Sequence, residues 1–276
     1  AVMGFNGNTF CTGFLVNNAS QDCTPFFMTA NHCGVNNGNA PSLVVYWNYI
    51  NSVCRQPGTG ASGGVGNGSL ADFNSGSIFR AAYGPSDMTL VELDDPVSET
   101  ANAWFAGWDA REVIAADTII GIHHPSTDEK RISFEFDGVY SGFYPGDNPD
   151  AAGNHLIIED WDIGTTEGGS SGSPIFNANK QVIGQLHGGA ASCNNDAYDS
   201  YGWLFFSWEG GGTPSTRLRD WLDPNNTGVL QISGRSQMQC SFFASADPVQ
   251  QTLCAPSVAT YDISVNEGFS GPVTLS

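Results

Sequence analysis

Short apolar runs separated by polar or glycine-rich turns follow one another along most of the chain. Residues 10–16 and 25–29 are two such runs, and the polar stretch 17–22 between them predicts a β-hairpin. Residues 43–49 form a third run, rich in β-branched and aromatic side chains. Residues 56–69 are mostly Gly, Ser and Ala, a composition typical of a surface loop. Further strands are expected at residues 77–82, 88–93, 119–123, 132–136, 156–158, 174–176, 182–186 and 203–207.

A single segment, from Ser215 to Leu222, has a helical pattern. Ser215 can cap its start, and Leu218 and Trp221 share one face with Leu222. Pro224 then ends the helix. Many short strands with one late helix, and no alternation of strands and helices, predict an all-β double barrel or sandwich.

The character of the sequence changes after about residue 236. Cysteine-containing residues 240–254 lead into an alternating strand at 259–265. We therefore expect one domain over residues 1–236, followed by a linker and the first strand of a second, truncated β-module over 237–276.

Composition and charge restrict the possible partners. The 276 residues include 9 Lys+Arg and 28 Asp+Glu, a formal net charge of −19. A phosphate surface would repel this chain, which excludes a nucleic-acid binder. Charged residues are only 13% and hydrophobic residues 40% of the chain, which indicates a packed core rather than disorder.

Cysteine content indicates the compartment. Seven cysteines favour an oxidising environment and hence a secreted protein, and the odd number leaves at least one unpaired. No run approaches the roughly 20 apolar residues of a membrane span. Residues 1–6 lack the charged start and apolar run of a secretion signal, so the chain is expected to be already processed or cut.

Residues 167–174 carry the strongest chemical signal. Small neighbours around Ser171 would let a substrate carbonyl approach its hydroxyl, and flexible backbone would let consecutive N–H groups stabilise an oxyanion. A glycine-serine surface loop is the simpler alternative. The stretch also fits the Gly-x-Ser-x-Gly turn of α/β-hydrolases with Ser170 as nucleophile, but it lacks the strand–turn–helix setting.

Two further segments supply the partners that a nucleophilic serine needs. His32 follows an apolar strand, and Asp87 begins another. A serine hydroxyl is a poor nucleophile at neutral pH, so it requires a histidine to accept its proton and a carboxylate to orient the imidazole. The chain presents these types in the order His, Asp, Ser.

The blocks at 29–33, 87–90 and 169–174 resemble the three catalytic blocks of chymotrypsin-like serine proteases, and the closer resemblance is to bacterial lysyl endopeptidases. It covers residues 8–232 and continues through 44–49, 104–109, 122–125, 129–133, 184–189 and 220–224. The resemblance implies a chymotrypsin-like double β-barrel with a C-terminal helix. The tail resembles the start of the Ig-like modules appended to secreted bacterial proteases.

The resemblance also implies roles for individual residues. Ser171 is the expected nucleophile, His32 the general base and acid, and Asp87 the orienting carboxylate. The backbone N–H groups of Gly169 and Ser171 would form the oxyanion hole. This chemistry requires no cofactor and no metal. The neighbouring His123 and His124 lack a third ligand at a plausible spacing, so we expect them to be structural.

Substrate choice follows from the same resemblance. Thr165 stands six residues before Ser171, where trypsin-like enzymes have a carboxylate, so the charge must come from elsewhere. Asp199 matches the aspartate on the pocket floor of lysyl endopeptidases. His187 matches a histidine that raises activity and narrows the choice to lysine. Tyr144, or its neighbour Phe143, stands near the aromatic residue of the family.

The resemblance also implies which cysteines pair. Cys11 and Cys33 match the pair that closes the histidine loop. Cys54 and Cys193 match cysteines whose partners lie in an N-terminal segment that this sequence does not contain, so we expect them to be unpaired or mispaired. Cys23 has no counterpart. The tail residues Cys240 and Cys254 would then pair with each other.

The sequence thus predicts a secreted, monomeric serine endopeptidase that acts on peptides after lysine. A glutamyl endopeptidase is the nearest alternative, although Asp199 would repel a glutamate side chain. A non-catalytic binding module is a third. Lys130 and Lys180 are the only lysines, which suits a chain that must survive cleavage after lysine.

Overall fold

A computed structural model describes residues 1–56, 59, 64–115, 117–195 and 197–240, together with the backbone of two strands at 244–247 and 262–265. Strands dominate these residues, and the only two α-helices among them are short. The loop predicted at 56–69 lies partly outside the described residues. No helix within the described ranges is long and apolar enough to cross a membrane.

The first half of the protein forms a β-barrel from two four-stranded antiparallel sheets. The strands are β1 (Val2–Phe5), β2 (Asn8–Thr12), β3 (Phe14–Leu15), β4 (Phe26–Ala30), β5 (Leu43–Tyr46), β6 (Phe73–Ser75), β7 (Ser77–Tyr83) and β8 (Met88–Leu93). The strand orders of the two sheets are β2-β1-β5-β6 and β3-β4-β8-β7. The predicted hairpin is confirmed, because Phe14 pairs with Met28 across β3 and β4.

The second half forms another barrel around one large sheet. Its strands are β10 (Gly107–Asp109), β11 (Ile119–His123), β12 (Arg131–Glu135), β13 (Tyr140–Gly142), β14 (His155–Ile158), β15 (Pro174–Phe176), β16 (Gln181–Gly189), β17 (Asp199–Trp203) and β18 (Gln231–Ile232). The central path of the sheet is β12-β11-β15-β16-β17-β14-β13, and β10 joins β16 and β18. Two further short strands, β9 (Trp104–Phe105) and β19 (Arg235–Ser236), pair with each other in a separate sheet. The all-β, chymotrypsin-like double barrel predicted from the sequence is therefore confirmed.

A shared apolar cluster joins the two barrels. It contains Met28 and Leu90 from the first barrel and Trp108 and Val182 from the second. Two short helices, α1 (Leu204–Glu209) and α2 (Arg219–Leu222), complete it. Burial of these faces holds the barrels together, and so fixes the position of one barrel against the other.

The helices correct two details of the sequence prediction. A strand was expected at 203–207, but the chain becomes helical at Leu204 because Leu204, Ser207 and Trp208 are buried at helical spacing. The C-terminal helix is present but begins at Arg219 rather than Ser215, and its N-cap is Leu218.

Two disulfides lie within the described residues. Cys11–Cys33 is present as expected. The predicted Cys240–Cys254 pair is wrong, since Cys240 is bonded to Cys23. The reason is topological: β19 pairs with β9, and a 2.8 Å hydrogen bond from Gln237 N to Ala103 O holds the following turn beside β9. Cys240 thereby packs against the same apolar cluster as Cys23.

Cys54 and Cys193 are both free and exposed, as expected for cysteines without a partner. They line one cavity of about 590 Å³ that also contains Thr165.

Beyond residue 240 the structure describes two strands, β20 (Ala244–Asp247) and β21 (Asp262–Val265), which pair with each other in antiparallel fashion. Cys254 lies outside the described residues. The domain boundary near 236 and the Ig-like character of the tail stay predictions.

Candidate active site

Two adjacent strands of the first barrel position the histidine and the aspartate. Ala30 on β4 pairs with Met88 on β8, so the residues just beyond these strand ends meet. His32 lies in the 3-10 turn Asn31–Cys33, and Asn31 N donates to Asp87 O at 2.7 Å. The Cys11–Cys33 disulfide closes the turn that carries His32.

His32, Asp87 and Ser171 form one continuous chain of hydrogen bonds. His32 Nδ1 lies 2.7 Å from Asp87 Oδ2, and His32 Nε2 lies 2.8 Å from Ser171 Oγ. The His32 backbone N–H also donates to Asp87 Oδ1 at 2.8 Å, which fixes the carboxylate. The Asp87 side chain is 3% exposed and that of His32 is 39% exposed. The carboxylate is therefore shielded, while the imidazole and serine face the solvent.

Gly172 lets the second barrel bring Ser171 up to His32. Thr12 N donates to Ser171 O at 2.8 Å across the barrel boundary. Gly172 has φ +81°, and a Cβ there would lie 2.3 Å from Thr29 Oγ1 and 2.4 Å from Thr12 O. Only glycine fits this close approach without strain.

Gly169 occupies a backbone position where a side chain would be strained and crowded. Its φ is +93°, and a Cβ would lie 2.6 Å from Thr127 N. Its carbonyl accepts a 2.9 Å hydrogen bond from Thr12 Oγ1. Among the described residues neither Gly169 N nor Ser171 N has a hydrogen-bond acceptor, so both N–H groups are free for a ligand.

His123 and Ser170 form a buried network under this loop. His123 Nδ1 lies 2.9 Å from Ser170 Oγ, and its Nε2 lies 3.0 Å from Ser133 Oγ. Burial, with a smaller effect of Arg131, lowers the pKa of His123 to about 4. Because Ser170 is fully buried, it cannot be the nucleophile of a hydrolase turn. The α/β-hydrolase alternative is thus excluded.

His124 is also a buried structural residue. Its Nδ1 lies 2.8 Å from Asp128 O, and its backbone N–H donates to Thr12 Oγ1 at 3.1 Å. Burial is the main cause that lowers the pKa of His124 to about 2.

A stack of aromatic rings extends the site beyond His32. The rings of His187 and His32 are nearly parallel, with centroids 5.4 Å apart. The ring of Tyr144 also stacks on that of His187, with centroids 3.7 Å apart. Burial lowers the pKa of His187, and the neighbouring Asp87 opposes this effect. The structure therefore brings His187 next to His32 and Tyr144 next to His187, and both are residues predicted from the resemblance.

His155 is a neighbour of His187 that the sequence did not reveal. It lies on β14, and its Nε2 is 2.9 Å from His187 Nδ1. A single histidine at the start of an apolar run carries no local signal of this contact, because its partner is 32 residues away on another strand.

Asp199 lies buried at the start of β17. Its Oδ2 accepts 2.7 Å hydrogen bonds from Trp161 Nε1 and Thr166 Oγ1. A Cβ on Gly189, its neighbour across the sheet, would lie 2.5 Å from Asp199 Oδ1. Burial raises the pKa of Asp199, while the two hydrogen bonds oppose the rise. Thr165, by contrast, lines the separate cavity with the free cysteines.

Two groups of side chains bring three possible metal-ligand atoms within 4.8 Å in the part of the chain that is described. In the first, the sulfurs of Cys11 and Cys33 are joined as a disulfide. In the second, His32 and His187 surround Asp87, but their rings are nearly parallel at 18°, so the nitrogen lone pairs do not converge. Neither group offers the tetrahedral arrangement that zinc prefers.

Two β-barrels with Ser171, His32 and Asp87 at their boundary define the chymotrypsin-like fold of serine proteases. A family model described as the lysyl endopeptidase C-terminal domain matches residues 1–202. The chain therefore belongs to this lysyl endopeptidase family.

One curated relative of this family shares only about a quarter of its aligned residues with this chain. The lysyl endopeptidase of Pseudomonas aeruginosa is 27% identical over 191 residues, which is 68% of this chain and 38% of that protein. The chain thus spans less than half the length of this curated relative.

Solved structures of similar fold include a Glu endopeptidase, with a TM-score of 0.43, 16% identity, and coverage of 73% of this chain and 83% of that one. Kallikrein-related peptidase 10 has a TM-score of 0.48, 15% identity, and coverage of 74% and 88%. Because both TM-scores are below 0.5 and both identities are below 25%, these structures add nothing to the assignment of the family.

Proposed function

We propose that the protein is a secreted serine endopeptidase that hydrolyses peptide bonds on the carboxyl side of lysine. The observation that carries the proposal is the chain of hydrogen bonds from Ser171 through His32 to Asp87. Its 2.8 Å and 2.7 Å distances are those of a nucleophile, a base and an orienting carboxylate ready for proton transfer.

The mechanism begins with attack of Ser171 Oγ on the substrate carbonyl carbon. The new C–O bond forms as the hydroxyl proton moves to His32 Nε2, and Asp87 stabilises the resulting imidazolium. The N–H groups of Gly169 and Ser171 donate to the oxyanion. When the tetrahedral intermediate collapses, the C–N bond breaks and His32 gives its proton to the leaving amine.

Water completes the reaction from the acyl-enzyme. His32 accepts a proton from a water molecule as its oxygen attacks the ester carbonyl. The second tetrahedral intermediate then releases the carboxylic acid product, and the proton returns from His32 to Ser171. The enzyme regains its starting state without a cofactor or metal.

Asp199 supports lysine as the residue before the cleaved bond. One oxygen is held by Trp161 and Thr166, and the other adjoins Gly189, two residues after His187 on β16. A lysine ammonium would stabilise the ionised carboxylate and offset the burial that raises the pKa of Asp199. A glutamate side chain would be repelled there, which argues against a glutamyl endopeptidase.

The test is digestion of a mixed peptide library by the wild type, Ser171→Ala and Asp199→Asn. We expect the wild type to cleave after lysine and Ser171→Ala to be inactive. Asp199→Asn should lower kcat/KM for lysyl peptides by roughly 30-fold to several thousand-fold, the equivalent of about 2–5 kcal/mol for truncating a buried charge pair. Hydrolysis of a neutral ester serves as the control and should change little.

Three results would contradict the proposal. Equal activity of wild type and Ser171→Ala would remove Ser171 from the mechanism. An equal loss of lysyl and neutral-ester hydrolysis in Asp199→Asn would show that this carboxylate does not select the substrate. Cleavage after glutamate would favour the glutamyl alternative.

A further inference from the structure

Behind His187, a line of hydrogen bonds runs from the second barrel back to the loop that carries Asp87. His187 Nδ1 lies 2.9 Å from His155 Nε2, and His155 Nδ1 lies 2.7 Å from Asn154 Oδ1. Asn154 Nδ2 then donates to Pro85 O at 2.7 Å. Pro85 is only two residues before Asp87, so the line begins and ends beside the same carboxylate.

The carbonyl of Pro85 determines the direction of every hydrogen bond in this line. A carbonyl oxygen can only accept, so Asn154 must turn its NH₂ group to Pro85 and its Oδ1 to His155. Oδ1 also can only accept, so His155 carries its proton on Nδ1. A neutral His155 then has a lone pair on Nε2, which accepts the proton of His187 Nδ1.

It follows that neutral His187 has no proton on Nε2, the atom that faces Asp87. His187 Nε2 lies 3.7 Å from Asp87 Oδ2, a distance too long for a hydrogen bond. This separation is expected where a lone pair meets a carboxylate oxygen. Burial, followed by the neighbouring His187, lowers the pKa of His155 to about 4, and burial also lowers the pKa of His187, so both are neutral near pH 7.

We propose that His155 is a positioning residue that fixes the tautomer of His187. Among the described residues, this leaves His32 as the sole side-chain donor to Asp87. The proposal rests on the proposed protease function. Asp87 Oδ2 accepts from His32 Nδ1 at 2.7 Å. If Nε2 of His187 carried the proton, it would donate to the same oxygen, withdraw charge from Asp87 and make His32 a weaker base.

Within the described part of the chain, few titratable groups face His187, which keeps the expected titration simple. Asp87 and His32 face it from the first barrel, His155 from β14, and the Tyr144 ring covers it. Asp87 favours a proton on His187, whereas His32 opposes it.

The test compares His155→Leu with His155→Gln. Both side chains are uncharged and similar in size, but only glutamine offers an oxygen that can accept the His187 Nδ1 proton. We expect His155→Leu to have a kcat about tenfold below that of His155→Gln. In His155→Leu the acid limb of the kcat/KM profile should also move to lower pH by roughly half to one unit, because His32 becomes less basic. In His155→Gln the acid limb should stay at the wild-type pH.

A second measurement does not depend on activity. In Ser171→Ala protein labelled with ¹⁵N-histidine, NMR should show the His187 proton on Nδ1, and on Nε2 once His155→Leu is added. A proton on Nε2 in the parent protein, or an unchanged tautomer with leucine, would overturn the inference. So would equal kinetics of the leucine and glutamine variants. A correct tautomer in a protein that cleaves no peptide would instead refute only the proposed function.

Discussion

Replacement of Gly172 by alanine should separate the two barrels at the point where Ser171 meets His32. The new Cβ would lie 2.3 Å from Thr29 Oγ1 and 2.4 Å from Thr12 O, and the residue must keep φ near +81°. The left-handed backbone costs about 1–2 kcal/mol and overpacking about 1–3 kcal/mol. Together these predict a loss of roughly 2–5 kcal/mol, or a fall in Tm of about 4–20 °C in a domain of this size.

The activity should fall further than the stability alone explains. Relief of the clash moves Ser171 away from His32, and a displacement of about 1 Å can cost about 100-fold in rate. We would measure kcat/KM on a lysyl peptide well below the Tm, together with calorimetric unfolding. Gly168→Ala is the matched control, because a Cβ at Gly168 in the same loop meets nothing within 4 Å. Equal behaviour of the two alanine variants would refute the packing argument.

Three further predictions concern stability and pH. Serine replacement of the Cys11–Cys33 pair should reduce activity and should also reduce stability by about 3 kcal/mol, because Cys33 lies in the turn that carries His32. Serine replacement of Cys23–Cys240, neither of which lies in that turn, should reduce stability alone; calorimetry and kinetics would distinguish the two variants. The pKa of buried His123 is lowered to about 4, so as the pH falls the unfolded chain protonates this histidine before the folded chain does. The free energy of unfolding should therefore decrease by about 3 kcal/mol as the pH falls from about 6.5 towards 4. Urea unfolding at several pH values should show a weaker pH dependence of stability for His123→Gln. Thr166→Val removes a hydrogen-bond donor to Asp199, so the pKa of that carboxyl should rise further. The acid limb of the kcat/KM profile for a lysyl peptide should then move to higher pH. The profile for a neutral ester should not move.

The strands were predictable because their signal is local. Met88–Leu93, Ile119–His123 and Pro174–Phe176 begin and end where the apolar pattern indicates. The pattern failed at Leu204, where an aromatic run suits a strand and a buried helix equally. The contacts of α1 with the cluster between the barrels decided in favour of the helix.

Contacts between distant segments were not predictable from periodicity. Cys240 was expected to pair within the tail, but it follows β19 and is bonded to Cys23, 217 residues earlier in the chain. His155 carried no motif, and its role depends on the pairing of β14 with β17, which in turn lies beside β16 and His187.

The all-β class, the net negative charge and the types of residue available for nucleophilic chemistry could be inferred from the sequence alone, because composition, alternation and motifs are properties of the chain and its neighbouring residues. The motif resemblance assigned His32, Asp87 and Ser171 to roles. The folded structure was needed to show that these groups lie within hydrogen-bond distance, that Gly172 permits the approach, and that His155 lies next to His187. Those facts depend on how two barrels pack against each other, and packing is a property of the whole folded chain.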